Sequence, residues 1–225
     1  MKLDMKLVSL NLGMGQVITV GERQIRTGIN KQPTLESVRI GRLGLTGDEV
    51  SDEINHGGPD QAVYVYGLPD YDYWSEQLRF SLEPATFGEN LTVSGLESAS
   101  LRIGDRLRIG PDNRPEDKGV LLEVSASRIP CHVLAARMND LGFVKKFRTA
   151  QRPGAYCRVI QTGEVRAGDA VTLEPYAGET VSLLEDFNLY YSTKATRAEL
   201  ERALKAPIAI RSREEHTARL AKLES

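Results

Sequence analysis

Leu101-Arg102-Ile103-Gly104-Asp105-Arg106-Leu107-Arg108-Ile109 places two β-compatible runs on either side of a Gly-Asp pair. Val165-Arg166-Ala167-Gly168-Asp169-Ala170-Val171-Thr172-Leu173 repeats the arrangement. Glycine supplies a positive φ and aspartate bonds to its own backbone, so each pair turns the chain between two strands. Two ordinary hairpins give this pattern, and so do the equivalent turns of a pseudo-symmetric barrel. Further β-rich runs lie at Ala62–Tyr66, Val120–Val124 and Tyr156–Ile160, and Val38 and Ile40 alternate with charged residues. Many short strands at close spacing read as a barrel or sandwich.

Two helices interrupt these strands. Pro69 suits a first helical position and Asp70 and Asp72 a first turn, with Leu68, Tyr71, Trp74 and Leu78 on one face. The second helix follows Cys131, with Leu134, Met138 and Leu141 on one face and Gly142 as its stop. Near residue 178 the pattern changes to helical. Ser182-x-x-Glu185, Thr196-x-x-Glu199 and Ser212-x-x-Glu215 are successive capping boxes, and Pro207 separates the last two helices. The expected organisation is a strand-rich domain over 1–178 and a three-helix extension over 179–225. The extension's modest apolar faces suit packing on the barrel or on a partner subunit, which makes a homodimer an expectation.

The chain has 225 residues, 27% of them charged, and a formal charge of −2. Bulk electrostatics therefore gives no reason to expect nucleic-acid binding. No stretch approaches the roughly 20 apolar residues of a membrane span. Two cysteines make no disulfide framework, and the first twelve residues hold no signal-like apolar core, so the expected location is cytoplasmic. Phosphate-loop, dinucleotide and nucleophile-elbow motifs are missing, and three scattered histidines give no zinc spacing.

Cys131 is the residue best placed for chemistry. It sits between a strand-like run and a helix-like one, where the helix dipole favours thiolate, with Arg128 and His132 beside it. Thiolate attacks electrophiles or ligates a soft metal. The alternative is a small buried hydrophobe. Cys157, amid a strand, reads as core. Asp48 and the segment His56-Gly57-Gly58-Pro59-Asp60 form the densest polar region. There the glycines allow a nest of amides and His56 can bind an anion or move a proton; composition alone favours the plainer alternative, a Gly-Gly-Pro turn with a surface histidine. Phe87-Gly88-Glu89-Asn90 offers a carboxylate and an amide suited to a heterocycle edge, or simply a turn before a strand. Arg128 and Arg158 can hold phosphate through their planar forks.

Taken in order, Gly44-Leu45-Thr46-Gly47-Asp48, His56–Asp60, Ala62-Val63-Tyr64, Tyr71-x-x-Trp74, Phe87–Leu91, Ile103-Gly104-Asp105 and Pro130-Cys131 resemble the MOSC domain family, named for the C-terminal domain of molybdenum-cofactor sulfurases. The match is to its stand-alone bacterial YiiM type, whose three-helix extension resembles residues 180–223. The resemblance implies an α+β, mostly β fold: a β-barrel-like domain with peripheral helices. It implies that Cys131 is the molybdenum ligand or sulfur carrier of a molybdenum cofactor (molybdopterin). It further implies reduction of N-hydroxylated compounds, such as hydroxylaminopurine base analogues, with a separate electron-transfer protein as donor. Asp48, Gly57, Gly58, Asp60, Phe87, Gly88, Glu89, Asn90, Arg128 and Arg158 become candidate cofactor contacts, and His56 the candidate proton donor. Two other readings stand beside this one: a persulfide carrier on Cys131, and a non-catalytic module for a small anion. Val133 departs from the family, which often has lysine two residues after the cysteine.

Overall fold

A computed structural model of the protein describes residues 5–51, 57–110 and 119–223. The strand β1 (Met5–Leu12) buries Leu7 and Leu10 while Lys6 and Val8 face outward. It closes a barrel. From β13 (Ala170–Glu174) the pairing runs through β9 (Arg106–Gly110), β10 (Val120–Ser127), β11 (Ala155–Gln161), β7 (Val63–Gly67) and β8 (Leu91–Val93) to β1, which pairs back onto β13. Closure removes the exposed sheet edges that invite aggregation. All these neighbours are antiparallel except β7 and β8. A parallel pair needs a crossover, and α1 (Leu68–Leu78) lies in that connection. β4 (Gln32–Thr34) adds to β1. A small sheet joins β12 (Gly163–Val165), β5 (Val38–Gly41) and β6 (Gly44–Leu45), and β2 (Gln16–Val20) and β3 (Arg23–Thr27) form a separate hairpin.

The two Gly-Asp turns are alike in atomic detail. Asp105 accepts the amide of Arg102 at 2.9 Å and Asp169 that of Arg166 at 3.0 Å, while Gly104 and Gly168 take φ of 90° and 95°. They lead into β9 and β13, which pair with each other, Ile109 opposite Val171.

The helices differ from expectation in two places. The segment after Cys131 is two helices, α2 (His132–Arg137) and α3 (Phe143–Ala150). Asn139 takes a φ of 49° and breaks the first; Gly142 starts the second instead of stopping it. Leu141 is consequently 92% exposed, and Phe143 and Phe147 pack on Trp74 with ring centroids 5.0 and 5.9 Å away. In the tail, α4 (Leu183–Tyr191) and α5 (Arg197–Lys205) begin with complete capping boxes. The third box does not form, because α6 (Ile210–Lys222) starts one turn earlier. The Asp60 carboxylate takes the Ile210 amide at 2.7 Å and sets that start. Leu183, Leu200, Ala203 and Ile208 share one hydrophobic cluster with the barrel residues Leu107 and Val124. Among the described residues no helix is long and apolar enough to cross a membrane.

Candidate functional site

A cavity of about 120 Å³ opens beside Cys131. β10 delivers one wall. Its last residue, Ser127, is fixed by the Asp186 carboxylate, which accepts from the Ser127 amide at 2.8 Å and hydroxyl at 2.7 Å. Arg128 then turns inward and is 4% exposed. Its Nη1 donates to the carbonyl of Phe87 at 2.7 Å, and its guanidinium lies 5.0 Å from the Tyr64 ring centroid. Burial works against its charge, yet the phenols of Tyr64 and Tyr156 and the thiol of Cys131 hold its pKa above the usual value. Nε has no hydrogen-bond partner among the described residues. Three residues later Cys131, half-buried, caps α2 with its carbonyl, which accepts the amides of Leu134 and Ala135.

The opposite wall carries Lys31, Asp48 and Asn90. Lys31 and Asp48 are an ion pair with side chains 8% and 5% exposed. Burial pushes the Lys31 pKa down and the Asp48 charge pulls it back up. Asp48 also accepts the Gly13 amide at 2.6 Å and the Asn90 side-chain amide at 2.8 Å. The remaining amide oxygen of Asn90 accepts the Tyr64 amide at 3.1 Å. At Gly88, φ is 77° and a Cβ would stand 2.8 Å from Ile29, so only glycine allows that approach.

Of the residues singled out from the sequence, Asp48, Gly57, Gly88, Asn90, Arg128 and Cys131 line this one cavity. The others are placed elsewhere. Glu89 is fully buried and one carboxylate oxygen accepts from Tyr71 Oη (2.5 Å), Thr92 Oγ1 (2.7 Å) and the Ala85 amide (2.8 Å). Its role is to brace the turn, not to read a heterocycle. Phe87 is packed among Tyr66, Tyr71 and Trp74, and only its carbonyl serves the site. Asp60 and Arg158 bond to each other at 2.9 Å, and Arg158 continues to Glu123 at 3.1 Å and to the Ile208 carbonyl. This network anchors the tail, and neither residue lines the cavity as a phosphate contact. Gly58, with φ of 79°, starts a single 3-10 turn at Pro59–Gln61. His56 lies outside the described residues. Cys157 is wholly buried, as expected of core, and burial raises its pKa.

Lys31, Tyr64 and Tyr156 line the cavity without having been singled out. Lys31 is a lone cation in a loop with no motif around it, and no sequence signal marks it. Val133 lines the cavity and His132 is exposed, so the buried cations here are Arg128 and Lys31. Asp48 neutralises the second. Arg26 and Glu49, which also line the cavity, pair with each other at 2.7 Å. What remains among the described residues is one thiol, a guanidinium with no carboxylate partner and glycine-lined backbone, a set suited to a soft electrophilic centre with an anionic group attached.

The sequence pattern of the MOSC domain matches residues 52–172. The chain is 35% identical over 198 residues to Bacillus subtilis YflK, covering 88% of this chain and 86% of that protein. It is 32% identical over 160 residues to a Gibberella moniliformis protein named Reductase, spanning 68% of this chain and 27% of that longer one. The crystal structure of YiiM from Geobacillus stearothermophilus superposes with a TM-score of 0.76 at 25% identity, over 96% of this chain and 99% of that one.

Proposed function

The chain belongs to the MOSC domain family, and from that premise we propose that it binds a molybdenum cofactor through Cys131 and reduces N-hydroxylated compounds with electrons from a separate protein. The observation that carries the reading is the joint placement of Cys131 and Arg128 on one cavity, with Arg128 Nε buried and unpartnered among the described residues. The family association with the molybdenum cofactor and the relative named Reductase support it.

The donor set fits such a group. Among the described residues no cluster of three or more His, Cys, Asp or Glu could hold a metal ion. A dithiolene cofactor brings most of its metal's ligands with it and would take one soft thiolate from the chain, which Cys131 can supply. When bound, the cofactor supplies the two-electron redox chemistry.

The chain's own groups do the rest. Cys131 supplies the thiolate. Arg128 holds negative charge on the cofactor, in a wall too dry to screen it. Lys31, tied to Asp48, adds a donor without adding net charge. Gly88 lets the backbone approach closely. Overall, a hydroxylamine, two electrons and two protons give an amine and water as the N–O bond breaks. His56, next to the cavity-lining Gly57, is the proposed proton donor for the departing water.

Expression in a cofactor-producing host tests this. Stoichiometric molybdenum and pterin in the purified protein, lost in Cys131→Ser together with N-hydroxylamine reduction, is the expected result. A metal-free protein with labile sulfur on Cys131 would favour the persulfide carrier instead. Full molybdenum and full activity in Cys131→Ser would overturn the assignment.

A further inference from the structure

We infer that Arg137 is a positioning residue whose guanidinium clamps together the three chain segments that bring Cys131, Gly88 and Lys31 to one cavity. Arg137 is the last residue of α2, the helix that Cys131 opens. Its Nε donates to the Thr86 carbonyl at 2.7 Å and its Nη2 to the Ala85 carbonyl at 3.1 Å. Its Nη1 donates to Asn30 Oδ1 at 2.5 Å, one residue before Lys31. One side chain thus ties the thiol's helix, the turn ahead of Gly88 and the loop of Lys31.

Arg128 takes the next carbonyl, that of Phe87. Three successive carbonyls, Ala85 to Phe87, are gripped by two arginines that flank Cys131 in sequence. The turn needs this grip. Ala85 and Gly88 both have positive φ, 71° and 77°, and for alanine that conformation is strained. Asn30 extends the clamp outward, its amide nitrogen donating to Gln16 of the β2–β3 hairpin at 3.2 Å. The three partners of Arg137 are neutral oxygens, so its contribution is geometric. A planar fork reaches all three; a lysine ammonium on its single point cannot span them. The inference rests on the cofactor reading only for what the cavity holds, and concerns the shape of the cavity itself.

The two cysteines give a built-in test, since Cys131 is half-buried in the cavity wall and Cys157 is fully buried in the barrel. Alkylation rates of each are followed by peptide mass spectrometry with iodoacetamide and with a bulky polyethylene-glycol maleimide, in the chain without cofactor. In the native chain Cys131 prefers the small reagent and Cys157 reacts with neither. In Arg137→Gln the size preference at Cys131 falls about tenfold, the scale expected when charge-assisted bonds are lost, while Cys157 stays protected. Arg137→Lys does not restore the preference, and Asn30→Ala, which removes one arm, lowers it less. A native size preference in Arg137→Gln, Cys157 opening in step with Cys131, or full rescue by lysine would each overturn the clamp. Should Arg137→Gln fail to fold, a native preference in Asn30→Ala would overturn it as well. If instead the native protein carries no molybdenum, the cofactor reading fails while the alkylation result stands.

Discussion

Lys31 and Asp48 form a buried ion pair in the cavity wall, and Asp48 is held from two further sides by the Gly13 amide and the Asn90 side chain. Removing one member of a buried pair leaves an uncompensated charge. Asp48→Asn is expected to destabilise by about 3 kcal/mol, because Lys31 is then buried against a neutral amide. Lys31→Met costs less, since the Asp48 carboxylate keeps two donors. The double variant recovers part of the loss. Urea unfolding of the four proteins measures the coupling, and strictly additive single effects would show that the pair does not act as one.

His216, on the inner face of α6, sets an acid limb to stability. It is 2% exposed, and its ring nitrogens have no hydrogen-bond partner among the described residues. Burial first, then the charge of Arg219, lower its pKa from 6.5 to about 4. The unfolded chain therefore takes up this proton near pH 6.5 and the folded chain only near pH 4. Between those values the unfolded state binds more protons, so stability falls as pH drops and levels off below about 4. The contribution is on the order of 3 kcal/mol. His216→Leu removes it: the stability difference between native and variant should vary across this window and be flat above it. Parallel curves from pH 7 to 4 would contradict the assignment.

How much of this was legible follows from where each signal resides. β7, β9, β10, β11 and β13 show in the sequence because apolar and β-branched residues concentrate in them. β1 does not, because Lys6, Ser9 and Asn11 interrupt it, and Asn11 is a buried amide bonded to Thr92 and the Glu89 carbonyl. The break between α2 and α3 was hidden by Leu141, which extends an apolar helical spacing beyond a turn made by Asn139. At the site, glycine, arginine and cysteine were visible as residue types. Glu89 and Asn90 were not separable, because neighbours on an extended chain point to opposite sides: Asn90 reaches the cavity and Glu89 the core. Lys31 acquires meaning only from Asp48, seventeen residues away.

The tail is part of the fold's core. Leu183, Leu200, Ala203 and Ile208 are buried within the barrel's own cluster, and Asp186 and Asp60 bond across to Ser127 and Ile210. Each fully buried leucine or isoleucine contributes about 2 kcal/mol, so removing the three consumes about 6 kcal/mol, as much as the whole stability of a domain at the lower end of the typical range of roughly 5–15 kcal/mol. A chain ending at residue 178 is expected to lose its near-ultraviolet circular dichroism and its cooperative unfolding transition. A cooperative transition at unchanged urea midpoint would show that the barrel stands alone.

Glu89 is expected to brace the turn through one accepting oxygen. One carboxylate oxygen accepts three donors, from Tyr71, Thr92 and Ala85, and the other has no partner among the described residues. Burial raises its pKa above 4.5, opposed by those donors. Glutamine keeps the accepting oxygen and carries no charge to desolvate, so Glu89→Gln should lie within about 1 kcal/mol of the native chain. Glu89→Ala leaves three buried donors unpaired and a void, and should cost about 3 kcal/mol or more. The pH dependence has a definite sign. A raised folded pKa means that the stability Glu89 contributes is present below its unfolded value and is lost as pH rises through the folded one. Glutamine loses nothing over that range, so the stability of Glu89→Gln relative to the native chain should improve as pH increases from 4.5. Unfolding curves for both variants across pH 4 to 8 decide the matter: if glutamine costs as much as alanine at neutral pH, Glu89 works as a carboxylate and its charge is required.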